Sequence, residues 1–174
     1  MVAISKIEHM VTIGLLVCAM PFLTACNSSS SLSSFGNSPA EIALPDHVEP
    51  YPDGEVLKVA KLQFSDGNYG HAARYYERAV EVSPNNAEAW LGLAASYDRV
   101  RRFDLADRAY HELERLIGRQ TEYYNNVGYS HLLRGDLTKA RFNLLKAYEL
   151  DPTNAAVNNN LEMLRSSSAQ STKS

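Results

Sequence analysis

Apolar residues recur along this chain with a period of 34 residues from Asp53 onward. Three units fit without gaps, over residues 53–86, 87–120 and 121–154. Within a unit, apolar positions separated by three and four residues predict one face of an α-helix, and each unit holds two such stretches. The pattern therefore predicts six helices, over residues 54–66, 70–82, 87–100, 104–117, 121–134 and 138–150.

Equivalent positions of the three units carry the same kind of side chain. The eighth position is small, as Ala60, Ala94 and Gly128, and the twentieth is alanine, as Ala72, Ala106 and Ala140. Small side chains at both positions let the two helices of a unit approach closely, and larger ones at positions 4, 7 and 24 fill the space around that contact. Proline at position 32, as Pro84 and Pro152, ends the second helix in two of the units.

This 34-residue pattern resembles the tetratricopeptide repeat. The resemblance implies an all-α solenoid of helical hairpins, with three repeats and a C-terminal capping helix over residues 155–165. Leu161 and Leu164 give that helix an apolar side, and the whole repeat domain is expected to span residues 53–165. The second unit departs from the pattern, because Arg101 replaces a turn glycine and Gly118 replaces the proline.

The first residues have the order of a targeting signal. An apolar run follows Lys6 and has the length of a secretory signal peptide, which is too short for a membrane-spanning helix. It ends in Leu23-Thr24-Ala25-Cys26, which resembles the lipobox of bacterial lipoproteins. The resemblance implies removal of residues 1–25 and lipid attachment to Cys26, although an ordinary signal peptide that happens to precede a cysteine is an alternative. In such lipoproteins an aspartate after the cysteine favours the inner membrane, so with Asn27 the resemblance implies the outer membrane of a Gram-negative bacterium, with the domain facing the periplasm.

Two further segments have the composition of disordered chain. Residues 26–52 are rich in serine and then in proline, and such a segment buries too little apolar surface to order itself. We expect a flexible tether there. The polar residues 166–174 are expected to form a disordered tail.

Composition and motifs argue against several functions. The net charge of −3 offers no basic surface for nucleic acid. The chain has no glycine-rich phosphate loop, and its only cysteines are Cys18 and Cys26. His71, His111 and His131 fall on different predicted helices, at spacings unlike those of metal ligands. We therefore expect no enzymatic activity, no cofactor and no metal.

The resemblance also assigns residues to a concave groove, because the first helix of each tetratricopeptide hairpin lines it. The candidate peptide-binding residues are Lys58, Lys61, Leu91, Asp98, Asn125, Asn126, Tyr129, Asn159 and Asn160. An asparagine amide both donates and accepts hydrogen bonds, so the four asparagines could hold the backbone of an extended peptide, whatever its side chains. Bonds to a neighbouring helix are the alternative. We expect alanine at the four positions to preserve or raise thermal stability, because asparagine is a poor helix former, while weakening partner capture.

Some tetratricopeptide proteins hold a chain-terminal carboxylate with lysine, asparagine and arginine side chains. Leu57, Gly92 and Glu122 occupy positions of that clamp that require other residues, so we reject binding of a chaperone tail. The stretch Asn125–Leu164 resembles the TadD-type lipoproteins of Flp/Tad pilus assembly. That resemblance implies a pilotin-like scaffold whose partner is a pilus or secretion component such as a secretin. The alternatives are an envelope adaptor that recruits proteases or peptidoglycan enzymes, and a purely structural scaffold.

Overall fold

The computed structural model describes residues 40–171, and every regular element of that range is an α-helix. The helices are α1 (Asp53–Ser65), α2 (Tyr69–Val82), α3 (Ala87–Arg99), α4 (Phe103–Ile117), α5 (Thr121–Leu133), α6 (Leu137–Leu150) and α7 (Ala155–Ser171). The bounds of the first six lie within one residue of the prediction, so the all-α hairpin solenoid is confirmed. Within residues 40–171 no helix is long and apolar enough to cross a membrane. The predicted signal peptide and Cys26 lie outside the described residues.

Successive helices form antiparallel hairpins, α1 with α2, α3 with α4 and α5 with α6, and α7 packs on α5 and α6. The predicted small positions lie where the helices meet, because Ala60, Ala72 and Ala106 are fully buried. In the third hairpin a Cβ on Gly128 would lie 2.7 Å from Cγ of Leu144. Only glycine there lets α6 approach α5 this closely.

The three hairpin turns share one backbone conformation. Gly67 and Gly135 have φ values of 79° and 76°, and Arg101 at the equivalent position has a φ of 65°. The replacement of glycine by arginine therefore leaves the turn geometry unchanged. The left-handed conformation costs a residue with a Cβ about 1 kcal/mol, and the packing of the second hairpin must offset it.

The solenoid contains two separate apolar cores. The larger lies between α1, α2, α3 and α4, and it also receives Tyr123 and Val127 from α5. The smaller is built on Ala140, Leu144 and Leu164, from α6 and α7. Where the second repeat meets the third, buried polar side chains of the two repeats also bond to each other.

The described part of the predicted tether, residues 40–52, packs against the repeats, so for these residues the expectation of a flexible chain is wrong. We call it the N-terminal segment. Its backbone makes three hydrogen bonds to the domain: the Ile42 amide donates to the Val100 carbonyl (2.9 Å), Arg74 Nε donates to the Pro45 carbonyl (2.9 Å), and the Tyr75 hydroxyl donates to the Glu49 carbonyl (3.0 Å). Leu44 and Val48 pack on the larger core.

The capping helix α7 is longer than predicted. It continues to Ser171, so the expectation of disorder from residue 166 is wrong as far as that residue. The hydroxyl groups of Ser167 and Ser168 donate to the carbonyls of Met163 and Leu164, one turn earlier. These serines therefore satisfy their polar groups within the helix, which composition alone does not reveal.

Candidate functional site: an aromatic pocket in the groove

The first helices of the repeats surround a pocket of about 440 Å³ that spans all three hairpins. Its lining residues are Lys61, Phe64, Tyr76, Glu88, Leu91, Gly92, Ala95, Asp98, Arg99, Tyr110, Asn126 and Tyr129. Five of the candidate residues from the sequence therefore lie together here: Lys61, Leu91, Asp98, Asn126 and Tyr129. We call this cavity the groove pocket.

The wall of the groove pocket depends on a close contact between Tyr76 of α2 and Gly92 of α3. A Cβ on Gly92 would overlap the Tyr76 ring, so the glycine makes room for the aromatic side chain to lie against α3. The small side chain of Ala95 also lines the pocket, one turn further along α3. Glycine and alanine on the inner face of α3 thus create the space that the surrounding tyrosines enclose.

The hydroxyl group of Tyr76 has no hydrogen-bond partner within residues 40–171, although the residue is only 4% exposed. Burial, and secondarily the charge of Glu88, raise the pKa of Tyr76 to about 12. The phenol is therefore neutral at physiological pH and can donate a hydrogen bond at the pocket wall. The hydroxyl is open to the groove pocket, so it can donate a hydrogen bond to an acceptor on a bound ligand.

Asp98 lies behind the pocket wall in a hydrogen-bonded cluster. It is 3% exposed, and its carboxylate accepts hydrogen bonds from the hydroxyls of Tyr110 (2.9 Å) and Ser130 (2.6 Å). Burial raises the pKa of Asp98 to about 6, although both hydrogen bonds and the nearby Arg134 guanidinium lower it. Its carboxylate oxygens are therefore already occupied, and Asp98 supports the pocket wall more than it offers a free charge.

Arg134 extends this cluster to the surface. Its guanidinium donates two hydrogen bonds to the carboxylate of Asp107, at 2.7 and 3.0 Å, and one to Ser130 Oγ at 2.7 Å. It also lies 4.9 Å from the centre of the Phe103 ring. We call Asp98, Tyr110, Ser130, Arg134 and Asp107 the polar joint, because they connect α3 and α4 to α5.

The predicted asparagines do not form one continuous wall. The amide of Asn160 on α7 donates to Asn125 Oδ1 on α5 (2.9 Å), while Asn126 donates to the Glu122 carbonyl of its own helix (2.8 Å). Asn125 and Asn126 border a second pocket, of about 550 Å³, which also includes Asn154. Asn159 is exposed, beside Met163 on another surface of α7. A bond between helices thus accounts for one pair, and peptide binding by the asparagines stays a prediction.

The charges around the groove pocket are mixed. Lys61 and Glu88 form an ion pair of 2.6 Å at the rim, where both side chains are more than half exposed. Arg99 is a second cation, whose guanidinium lies 4.2 Å from the centre of the Tyr69 ring. Lys58 is exposed and does not line the groove pocket. The pocket therefore offers an apolar, aromatic surface with a balanced rim.

Tyr76 and Tyr110 line the groove pocket although sequence reasoning placed them only in the core. The recurrence of tyrosine at position 24 of the first two units was the available signal. Periodicity locates such residues on the helix face toward the partner helix. It does not show that a neighbouring glycine or alanine opens a path from that side chain to the groove.

Two family profiles, both described as tetratricopeptide repeat, match residues 53–96 and 121–154. The chain is 31% identical over 112 residues to heat shock protein STI1 of Saccharomyces cerevisiae. The matched region covers 63% of this chain and 19% of that protein. It therefore spans about one fifth of the length of this curated relative. The matches confirm that the chain carries tetratricopeptide repeats.

Solved structures with a similar fold agree with this conclusion. The first repeat domain of human RPAP3 superimposes with a TM-score of 0.60 at 21% identity, over 70% of this chain and 96% of that one. The Yersinia enterocolitica type III secretion chaperone SycD, in complex with a peptide of the translocator YopD, superimposes with a TM-score of 0.57 at 19% identity. This match covers 68% of this chain and 93% of that one. Both likenesses show the shared fold.

Proposed function

We propose that this protein is a non-enzymatic interaction scaffold that holds an extended segment of a partner protein in its concave groove. The observation that carries the proposal is the groove pocket, in which aromatic walls surround the unpartnered Tyr76 hydroxyl. Ligand sites commonly combine a mostly apolar concave surface with a few well-placed polar groups. The SycD structure, which holds a peptide of its translocator on the same fold, supports this use of the groove.

The chemistry of the groove favours a segment with a bulky apolar side chain and no excess of acidic residues. Phe64, Leu91 and Tyr129 supply apolar contact area, and Tyr76 can donate to a peptide carbonyl. Glu88 and Asp98 already place two carboxylates at the pocket, and Lys61 is engaged by Glu88. An acidic tail would meet these carboxylates without a free cationic clamp, which argues against a chaperone-tail partner.

We propose further that the scaffold is anchored by lipid on Cys26 at the outer membrane and acts in assembly of a Flp/Tad-type pilus or secretion apparatus, with a component such as a secretin as its partner. The lipobox at residues 23–26 and the resemblance over Asn125–Leu164 support this assignment. An adaptor for envelope proteases or peptidoglycan enzymes would use the same groove, so the identity of the captured protein separates the two.

Site-specific photocrosslinking in the native bacterium tests the proposal. A photoreactive residue at Tyr129, inside the groove pocket, should yield a covalent adduct with one partner, whereas the same residue at the exposed His111 on α4 serves as the control. Ala95→Leu, which fills the pocket, should abolish the adduct without unfolding the domain. Equal adducts from both positions, or an adduct insensitive to Ala95→Leu, would refute groove binding. Intact pilus assembly and secretin multimers after deletion of the gene would refute the pilus role alone.

A further inference from the structure

The outer face of α6 carries three exposed apolar side chains on less than two helical turns. Phe142, Leu145 and Tyr148 are 61%, 45% and 41% exposed, and we call them the α6 patch. A single exposed apolar residue is ordinary in a folded protein, but a contiguous group on one face marks an interaction surface. A groove of about 630 Å³ between α6 and α7 adjoins the patch and adds Leu161 to its apolar surface.

The repeat fold does not require apolar residues at the positions of Phe142 and Leu145. Phe142 occupies the place taken by Arg74 in the first repeat and by Arg108 in the second, and Leu145 that of Glu77 and His111. In the first repeat this face of the hairpin is already in use, because Arg74 holds the N-terminal segment and pairs with Glu77 at 3.0 Å. The α6 patch is thus particular to the third repeat.

The residues around Leu145 are arranged symmetrically. Phe142 lies three residues before it and Tyr148 three after, while Arg141 lies four before and Glu149 four after. Arg141 is exposed and makes no ion pair with any residue of the range 40–171. Glu149 pairs with Lys146 at 2.8 Å on the open surface, where such a bond contributes little to stability.

We infer that the α6 patch is the interface between two copies of this chain, which pack their α6 helices antiparallel about a two-fold axis beside Leu145. A two-fold interface uses the same surface on both copies, and residues at equal separations from the axis then lie level with each other. Arg141 of one copy comes level with Glu149 of the second, and Phe142 with Tyr148. Opposite charges and apolar side chains are thus brought together.

A parallel arrangement would place Arg141 beside Arg141 and Glu149 beside Glu149, which repel. The positions of the charges therefore favour a second copy of this chain as the partner, with its α6 helix antiparallel to the first. The groove pocket is built on the first helices of the repeats and does not include α6. Two copies joined through α6 would accordingly keep both groove pockets free, and the inference does not depend on what those pockets bind.

Cysteine crosslinking of the full-length chain in its membrane tests the arrangement directly. Leu145→Cys lies beside the axis, so mild oxidation should convert most of the chain to a covalent dimer. His111→Cys, at the equivalent exposed position of the second repeat, and the parent chain without an added cysteine are the controls and should remain monomeric on the gel. Equal dimer yields at 145 and 111 would overturn the inference.

Sedimentation of the purified full-length chain in density-matched detergent gives a second, independent measurement. The parent chain should sediment as a dimer, and Leu145→Lys should shift it to a monomer with unchanged helical circular dichroism. His111→Lys is the matched control and should leave the dimer intact. A monomeric parent chain refutes the inference, as does crosslinking of position 145 only to a different protein. Release from lipid vesicles on Leu145→Lys without any change in sedimentation would instead indicate a membrane-facing patch, and also refutes it.

Discussion

Ser130 on α5 donates a hydrogen bond of 2.6 Å to Asp98 on α3, across the boundary between the second and third repeats. Both residues are almost fully buried. The polar joint, together with Tyr123 and Val127 of α5, which pack on the larger core, therefore fixes the third repeat relative to the second. It also forms part of the pocket wall, since Asp98 and Tyr110 belong to both.

The stability of the domain should depend on pH through Asp98. Burial raises the pKa of Asp98 in the folded state to about 6, from an ordinary value of 3.8. Between these two pH values the native state keeps a proton on Asp98 that the unfolded chain has lost. This contribution is fully present below about pH 4 and is lost as the pH rises through 6. A shift of this size corresponds to about 3 kcal/mol in the free energy of unfolding.

Urea unfolding at pH 5 and pH 7.5 measures this effect. The free energy of unfolding of the parent protein should fall between the two pH values by more than that of Asp98→Asn, which cannot titrate at that position. Identical pH dependences for the two proteins would show that Asp98 does not carry the effect.

Arg134→Ala should destabilise the domain by about 2 kcal/mol, because it removes the paired hydrogen bonds to Asp107 and the bond to Ser130 from a side chain that is 18% exposed. It should also raise the pKa of Asp98 further, since the guanidinium favours the carboxylate. Thermal and urea unfolding provide the measurement. Arg165→Ala is the control, because its ion pair with Glu162 is largely exposed, and it should change stability by less than about 0.5 kcal/mol. If Arg134→Ala also lowered stability by less than about 0.5 kcal/mol, its hydrogen bonds to Asp107 and Ser130 would not stabilise the domain.

The N-terminal segment should detach when its contact with α2 is blocked. A Cβ on Gly70 would lie 3.2 Å from Cδ of Pro45, so Gly70→Leu should displace the segment. Gly54→Leu is a matched control, because Gly54 is likewise the second residue of its helix and has no neighbour within 4 Å. Hydrogen exchange of the Ile42 amide should accelerate at least tenfold in the first variant only. Unchanged protection would mean that Pro45 does not hold the segment.

The bond between Asn125 and Asn160 makes those two residues part of the structure. Each single alanine substitution should cost about 1 kcal/mol, and the double variant should cost less than the sum, because the same hydrogen bond is lost in all three. Asn159→Ala should be neutral or slightly stabilising. Additive losses in the double-mutant cycle would show that the bond contributes nothing. For Asn125 and Asn160 this expectation replaces the one from helix propensity, which stays a prediction for Asn126 and Asn159.

Lipidation is tested by fractionation. Cys26→Ser should release the chain from membranes or leave an unprocessed precursor, whereas Cys18→Ser should behave as the parent does. Incorporation of radiolabelled fatty acid should follow the same pattern. A parent chain that fractionates normally but carries no lipid label would contradict the lipoprotein assignment.

The sequence predicted the helices well because a 34-residue period constrains every boundary three times. Ala60 and Ala72 marked the hairpin contact, and Gly128 its counterpart in the third repeat. The same register placed Leu91, Asn126 and Tyr129 on the groove side, where the structure has them. Residues whose role follows from helix periodicity and side-chain size were therefore predictable.

Features that depend on contacts distant in sequence were not predictable in this way. Residues 40–52 have the composition of disordered chain, and their docking depends on donors supplied by Arg74 and Tyr75, some thirty residues later. Asp98 was correctly placed near the groove. Its burial followed from Tyr110 and Ser130, on two other helices, and a repeat pattern does not report which hydroxyls reach a given carboxylate.

Docking of the N-terminal segment shortens the length of chain available between the anchor and the domain. If lipid is attached to Cys26 as proposed and the chain is held from Ile42 onward, 16 residue steps (42 − 26) join the anchor to the first docked residue. At most about 3.5 Å per step, they reach roughly 55 Å even when fully extended. For a chain anchored in this way, the groove would meet only partners that come within a thin layer above the membrane, and release of the segment would extend that reach.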